Sequence, residues 1–420
     1  GRDPGGALVR GIAVLGCTGS IGANALQVVR EHPGRFRVTA LAAGRNVRLL
    51  AEQVREFRPL RVSVADEQAA VALREMLGGE SPPVLHGEEG VCEVACTPDT
   101  ERVVAAMVGA AGLRPVLCAL EAGRDVALAN KEALVVAGEL MTRTARRSGA
   151  LILPVDSEHN ALHQCLRSGH GLDEVRRLVL TASGGPFRRR ALESFDSIRV
   201  DEALRHPTWN MGRKVTIDSS TLMNKGLELI EARWLFGLPE ERLDVLIHPQ
   251  SLVHSLVEYV DGFYIAQLST PDMGLPIQYA LSYPERWPTR RQRLDLAAAG
   301  ALEFENPDTG RYPCLALARE ALRRGGTCPA ALNAADEVAV QGFLEGRLPF
   351  TGIARVLEQV MEAWDSATGD NLGALQEADR EARRRASEAA ERISHQWNLK
   401  GGGVRRYIRL RRSGAAPEKS

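Results

Sequence analysis

Three carboxylates pose the first chemical question. An apolar stretch, Leu151-Ile-Leu-Pro-Val155, ends in Asp156-Ser157-Glu158. If the chain stays extended, residues two apart point to one side, so Asp156 and Glu158 would aim at a common point. Two adjacent anions repel unless a cation lies between them. Further along, a helical pattern carries Met223, Leu227, Ile230 and Trp234 on its apolar face and Asn224, Lys225 and Glu228 on a neighbouring polar stripe. One reading makes Asp156, Glu158 and Glu228 oxygen ligands of a hard divalent cation such as Mg2+ or Mn2+, with positions left for substrate oxygens. A plainer reading leaves Lys225 and Glu228 as a helix-surface pair worth only ~0.3–0.5 kcal/mol. A third puts zinc on His159 and His163, four apart on one helical face, although Asn160 stands where the H-E-x-x-H pattern needs Glu.

Phosphate-binding chemistry clusters nearby. A strand over 178–181 ends in Ala182-Ser183-Gly-Gly-Pro186, and a second over 215–217 ends in Asp218-Ser219-Ser220-Thr221, before the helix with Asn224 and Lys225. Hydroxyls, backbone N–H groups and one ammonium suit a phosphate monoester. Ser183 is not a nucleophile elbow, because Thr181 rather than Gly stands two residues before it. Between the strands, His206-Pro-Thr-Trp209-Asn-Met-Gly212-Arg213 mixes histidine, proline, a large aromatic and glycine, which reads either as a lid over 203–213 or as a packed surface loop.

A nucleotide site is written near the start. Gly16-Cys-Thr-Gly19-Ser-Ile-Gly22 follows a strand and opens a helix with Ile21, Ala25, Val28 and Val29 on one face. Glycines there admit a pyrophosphate close to backbone N–H groups at a positive helix end. The second strand ends Ala42-Ala-Gly44-Arg45-Asn46, with no carboxylate for a ribose 2'-hydroxyl and an arginine able to clasp a 2'-phosphate, which favours NADP over NAD. No Gly-Lys-Ser/Thr follows, so a P-loop is excluded. Asn130, before Lys131 and Glu132, reads as a helix N-cap at the edge where open α/β sheets bind ligands.

These groups need a framework, and the pattern supplies one. Short β-rich runs at 11–15, 36–41, 61–64, 102–106 and 125–128 alternate with helical segments, so residues 1–150 predict a Rossmann-like, doubly wound parallel sheet. Residues 151–283 read as a central α+β catalytic domain, including a hairpin turning at Asp261-Gly262. Proline-rich 284–313 reads as a linker, 314–395 as a helical bundle with patterns at 315–323, 333–345 and 351–363, and 396–420 as a basic tail. The 420 residues carry 53 basic and 53 acidic side chains, which argues against a nucleic-acid wrapper. No apolar run reaches membrane-spanning length, and the seven cysteines lack a Cys-x-x-Cys pair, as fits reduced thiols in a cytosolic protein. The first residue is Gly, so a plastid location after loss of a transit peptide stays open.

Taken together, the 16–22 loop, Leu128-Ala-Asn-Lys-Glu-Ala-Leu134, Pro154-Val-Asp-Ser-Glu-His-Asn160, Ser183-Gly-Gly-Pro186, the 206–212 segment, Met223-Asn-Lys-Gly-Leu-Glu228, His248-Pro-Gln-Ser251 and Pro271-Asp-Met273 resemble the 1-deoxy-D-xylulose 5-phosphate reductoisomerase family over about 9–395. Cys17 departs from the Ser frequent in that loop, and the tail extends past the family's usual end. The resemblance implies a homodimer with no nucleic-acid or membrane partner. It also implies the second step of the non-mevalonate isoprenoid pathway, a retro-aldol/aldol isomerisation and NADPH reduction of a phosphorylated ketose to 2-C-methyl-D-erythritol 4-phosphate. It assigns the divalent ion (Mg2+ or Mn2+, with Co2+ a third candidate) to Asp156, Glu158 and Glu228, and the phosphate to Ser183, Ser219, Asn224 and Lys225. It sets Ser157 and Lys131 near the metal, His206 and Trp209 over the substrate, and His254 beside the active site. Thr18, Gly19, Ser20, Ile21, Gly44, Arg45, Asn46, Asn130, Lys131, Glu132, Gly212 and Met273 fall at NADPH positions. An NADP-dependent dehydrogenase without rearrangement, or a non-catalytic NADP sensor, are the competing readings.

Overall fold

The computed structural model describes residues 9–205, 209 and 211–399. Strands and helices alternate first: β1 (Arg10–Leu15), α1 (Ser20–Glu31), β2 (Phe36–Ala42), α2 (Val47–Phe57), β3 (Arg61–Val64), α3 (Glu67–Leu77), β4 (Val84–His86), α4 (Gly87–Ala95), β5 (Arg102–Ala105), α5 (Leu113–Glu121), β6 (Asp125–Leu128), α6 (Lys131–Ser148), β7 (Ile152–Pro154) and α7 (Ser157–Leu166). There follow β8 (Val175–Ala182), α8 (Val200–Ala203), α9 (Arg213–Thr221), α10 (Met223–Phe236), β9 (Leu243–Ile247), β10 (Val253–Tyr259), β11 (Tyr264–Leu268) and α11 (Gly274–Ser282). The rest is helical: α12 (Leu296–Ala299), α13 (Pro313–Arg324), α14 (Cys328–Leu344), α15 (Phe350–Glu362) and α16 (Leu372–Leu399).

Seven parallel strands form one sheet in the order β4-β3-β2-β1-β5-β6-β7. Helices cover both faces, so its central strands read as apolar runs: Ile12, Ala13, Val14 and Leu15 are all sealed from solvent. Strand order reverses between β1 and β5, which opens a crevice at their carboxyl ends, where such sheets bind ligands. The second sheet runs β11-β10-β8-β9, with β10 antiparallel to both neighbours and β8 parallel to β9. Asp261-Gly262 turns the hairpin as its sequence requires, Gly262 taking φ +87°.

The chain divides into two compact units, Gly1–Ala182 with Glu231–Glu305 and Ser183–Ile230 with Asn306–Ser420. Both sheets belong to the first. The second is helical, and α9 packs there on α13 and α14. The passage from one unit to the other falls inside α10. No helix among the described residues is long and apolar enough to cross a membrane.

Two local expectations fail. Residues 215–217 are helical rather than extended. The β-branched Val-Thr-Ile triplet suits a strand, but Ile217 is buried on the α9 face, and Lys214 and Asp218, one turn apart, make an ion pair at 2.6 Å. Tertiary burial overrides a weak local propensity. Helix α16 lies within the region expected to be helical, but no pattern marked it out in the sequence and it runs past the expected end at residue 395. Its buried residues are mostly small, Ala378, Ala382, Ala386, Ala389 and Ala390 between Leu375 and Ile393, so the apolar stripe is faint among arginines and glutamates. The basic tail from residue 400 lies outside the described residues.

Candidate active site

At the nucleotide end, Gly16 and Cys17 donate their N–H groups to the Ala42 carbonyl at 2.8 and 2.9 Å, tying the loop to the end of β2. Gly19 opens α1 without a side-chain cap, so first-turn amides remain available to an anion. Thr18, Ser20 and Ile21 lie in that loop and turn. Gly22 is required sterically: a Cβ there would sit 2.2 Å from the Gly16 carbonyl oxygen. Burial pushes the Cys17 thiol up to about 12, while its carbonyl accepts from Gln53 Nε2 at 3.0 Å, so this residue meets its surroundings through its backbone. Gly44, Arg45 and Asn46 are exposed beyond β2. Asn46 caps α2 through the Leu49 N–H at 3.3 Å, and Arg45 pairs with Asp66 at 3.2 Å. A cavity of about 280 Å3 opens here, lined among others by Gly16, Ala42, Gly44, Val64, Met107 and Pro115. Asn130 caps α6 as its spacing predicts, accepting from the Ala133 N–H at 3.0 Å and donating to the Gly109 carbonyl at 2.8 Å. Met273, ahead of α11, packs half-buried on the core of this sheet.

The carboxylates of the first unit stand where β7 gives way to α7. Asp156 is the residue before the helix and Glu158 its second residue, so strand alternation does not govern them. Their surroundings are basic and polar: Lys131 Nζ lies 2.5 Å from Asp156 Oδ2, and Ser157 Oγ donates to Glu158 Oε2 at 2.5 Å. Lys131, Glu132 and Ser157 are buried. The two histidines of α7 take different partners, which removes the zinc-pair reading. His159 Nδ1 lies 3.3 Å from Glu231 Oε2, whereas His163 Nδ1 shares a 2.8 Å hydrogen bond with the Tyr279 hydroxyl. Burial, helped by the Arg167 charge, depresses the His163 imidazole to about 4. Asp156, His159 and Glu231 bring one donor atom each within 4.8 Å of one another. His254, on β10, is buried with Nε2 3.3 Å from the Ser269 carbonyl.

The phosphate-type residues are all in the second unit. Gly185, at φ +67°, brings the Ser183 loop against α9, where a Cβ would fall 2.9 Å from the Ser219 carbonyl oxygen. Asn224 Nδ2 and Lys225 Nζ each donate at 2.5 Å to Glu228, one to each carboxylate oxygen. Lys225 and Glu228 are 3% and 1% exposed, so they are not the surface pair of the plainer reading. Leu222, at φ +58°, breaks the chain between α9 and α10. Lys214 reaches both Asp218 and Asp336, at 2.6 and 2.9 Å. Trp209 is half-buried and Gly212 precedes α9; His206 lies outside the described residues.

Sequence reasoning passed over Glu231, Lys214 and Asp336. A carboxylate three residues after Glu228, beside the apolar positions Ile230 and Trp234, was the available signal for Glu231. Asp336 offered none, since its partners are more than a hundred residues away.

A doubly wound nucleotide-type sheet, a cluster of carboxylates with lysine and histidine, and a separate serine-lysine cluster define an α/β enzyme that handles anionic ligands. The matches to known proteins are specific. Residues 12–138 match the model of 1-deoxy-D-xylulose 5-phosphate reductoisomerase, and 152–236 and 268–385 match models of its C-terminal domains. The reductoisomerase of Symbiobacterium thermophilum is 55% identical over 388 residues, 91% of this chain and all of that protein. That of Chlorobium phaeobacteroides is 51% identical over 384 residues, again 91% and all. The Zymomonas mobilis reductoisomerase, solved with NADPH, superposes with a TM-score of 0.87 at 42% identity, covering 91% of this chain and all of that one. A reductoisomerase solved with NADPH, fosmidomycin and magnesium gives 0.86 at 42% identity, with 91% and 98% covered. The chain belongs to the 1-deoxy-D-xylulose 5-phosphate reductoisomerase family.

Proposed function

We propose that the chain converts 1-deoxy-D-xylulose 5-phosphate to 2-C-methyl-D-erythritol 4-phosphate, using NADPH and a divalent cation. Similarity to reductoisomerases along nine-tenths of the chain carries this reading.

The residues fit both groups. The uncapped start of α1, the sterically required Gly22 and the neighbouring cavity suit a dinucleotide, with Thr18 to Ile21 at its pyrophosphate and Arg45 at a 2'-phosphate. Asn130, Lys131, Glu132, Gly212 and Met273 complete that set. Asp156, Glu158 and Glu228 are hard oxygen donors suited to Mg2+, Mn2+ or Co2+. When bound, the ion supplies Lewis acidity to neighbouring substrate oxygens, and NADPH supplies hydride.

The chain's own groups do the rest. Lys225 and Asn224, with the hydroxyls of Ser183 and Ser219, hold the phosphate monoester; the buried ammonium meets its charge with little competition from water. Lys131 and Ser157 orient the ketose end beside Asp156 and Glu158, and His206, Trp209 and His254 enclose it. Held in this way, the fragments of a retro-aldol cleavage stay oriented for re-addition and then reduction. We assign the nucleotide to residues 1–150, the metal and phosphate groups to 151–283, and a supporting role to the helices beyond 314.

A homodimer is supported by β11, an edge strand whose hairpin leaves Val260, Phe263, Tyr264 and Ile265 exposed. The bacterial relatives support a cytoplasmic setting. The test is to follow NADPH oxidation with the ketose phosphate and Mg2+, and then the carbon skeleton of the product by NMR. A branched product with metal-dependent oxidation is expected; an unbranched one would mean plain reduction. Glu228→Gln should abolish turnover with NADPH affinity retained.

A further inference from the structure

We infer that Glu231 is a positioning residue for the divalent-cation site, acting through His159. This rests on the assignment of Asp156 and Glu158 as metal ligands. Glu231 is 1% exposed and His159 fully buried, and the 3.3 Å approach between them joins α10 to α7. His159 directly follows Glu158 at the start of α7, so whatever fixes the imidazole also fixes the turn that aims Glu158 and Asp156. Phe236 lies nearly parallel to the imidazole, with ring centres 6.4 Å apart, and the Glu231 carboxylate stands at its Nδ1.

The charge pattern argues the same way. Asp156 already has Lys131 at 2.5 Å, and Glu231 places a further carboxylate within 4.8 Å of the Asp156 and His159 donor atoms. A carboxylate buried this deeply is costly unless polar or charged groups stand close to it, and the His159 imidazole is 3.3 Å away. An imidazole this close to both carboxylates links their positions, much as carboxylates behind ligating groups set ligand orientation in metal sites, where their loss weakens metal binding by roughly 10–100-fold.

Mn2+ affinity, measured by electron paramagnetic resonance without substrate or NADPH, tests the inference on the full chain. Glu231→Gln should weaken Mn2+ binding about tenfold or more, Glu231→Asp should recover part of the loss, and NADPH affinity should match the wild type in both. Thermal unfolding identifies variants that fail to fold; His159→Asn, which removes the imidazole and keeps a polar group, then serves as the second probe and should weaken Mn2+ similarly. Wild-type Mn2+ affinity in a folded Glu231→Gln protein, or in His159→Asn, overturns the inference and leaves the cation site standing. Absence of Mn2+ binding by the wild type overturns the cation site itself.

Discussion

Replacing Gly22 by Ala sets two calculable effects against each other. In an ordinary helix the change would stabilise by about 1 kcal/mol, because Ala is the better helix former. Here the added methyl would stand 2.2 Å from the Gly16 oxygen, 2.6 Å from Cys17 Cα and 2.8 Å from the Gly16 carbonyl carbon. Ordinary contact needs about 3.5 Å or more, so the loop or α1 must shift by roughly 1 Å. All three atoms are backbone, so no rotamer change relieves the overlap, and overpacking of this kind costs about 1–3 kcal/mol. The clash therefore wins, and the protein loses stability. In the proposed function the loop is also the surface offered to the pyrophosphate. Losing one charge-assisted hydrogen bond of about 1.5–3 kcal/mol weakens binding by about 10–100-fold. NADPH fluorescence titration should show that rise in Kd with Mn2+ affinity unchanged, alongside a melting temperature a few degrees lower. Wild-type NADPH affinity with an equal or higher melting temperature would refute the steric argument.

Other perturbations read different parts of the molecule. His163 is depressed to about 4 from a normal 6.5, so the unfolded chain takes up its proton first; stability falls as pH drops from 6.5 towards 4, by about 2–3 kcal/mol. Chemical denaturation across that range should show the slope, and His163→Gln should flatten it. Asp336→Ala removes one of the two carboxylates that meet Lys214 and should destabilise by about 1–3 kcal/mol, the worth of a charge-assisted hydrogen bond; because α9 carries Ser219, KM for the ketose phosphate should rise more than KM for NADPH. If the chain forms the proposed homodimer through its exposed hairpin, Phe263→Glu should shift sedimentation from dimer towards monomer; an unchanged dimer would place the interface elsewhere.

The parts of the fold legible in the sequence were those whose signal is local and repeated. The alternation of β-rich and helical segments up to residue 150 is visible because strands buried on both faces must be apolar throughout. Asp261-Gly262 and the Asn130 cap were legible because each rests on the chemistry of one or two residues. Residues 215–217 were misread because α9, in which Ile217 is buried, packs on α13 and α14, which come about a hundred residues later. Asp156 and Glu158 were named for a reason that fails: the chain turns helical at Ser157, so proximity comes from a helix start and not from strand alternation. Glu231 and Asp336 stayed hidden because a buried charge looks, in sequence, like any solvated one; only its distant partner marks it out.

The discontinuity of the helical unit bears on how the protein is made. Segment 183–230 leaves the ribosome well before its companions in 306–420, with the whole of 231–305 synthesised between them. Until α14 emerges, α9 lacks the helix it packs on, and Lys214 waits for Asp336. At about 5–20 residues per second that interval lasts several seconds, long enough for a nascent chain to engage a chaperone or to pair wrongly. Premature stops anywhere from 231 to about 340 should therefore yield insoluble protein, even though every strand of the parallel sheet has already been made.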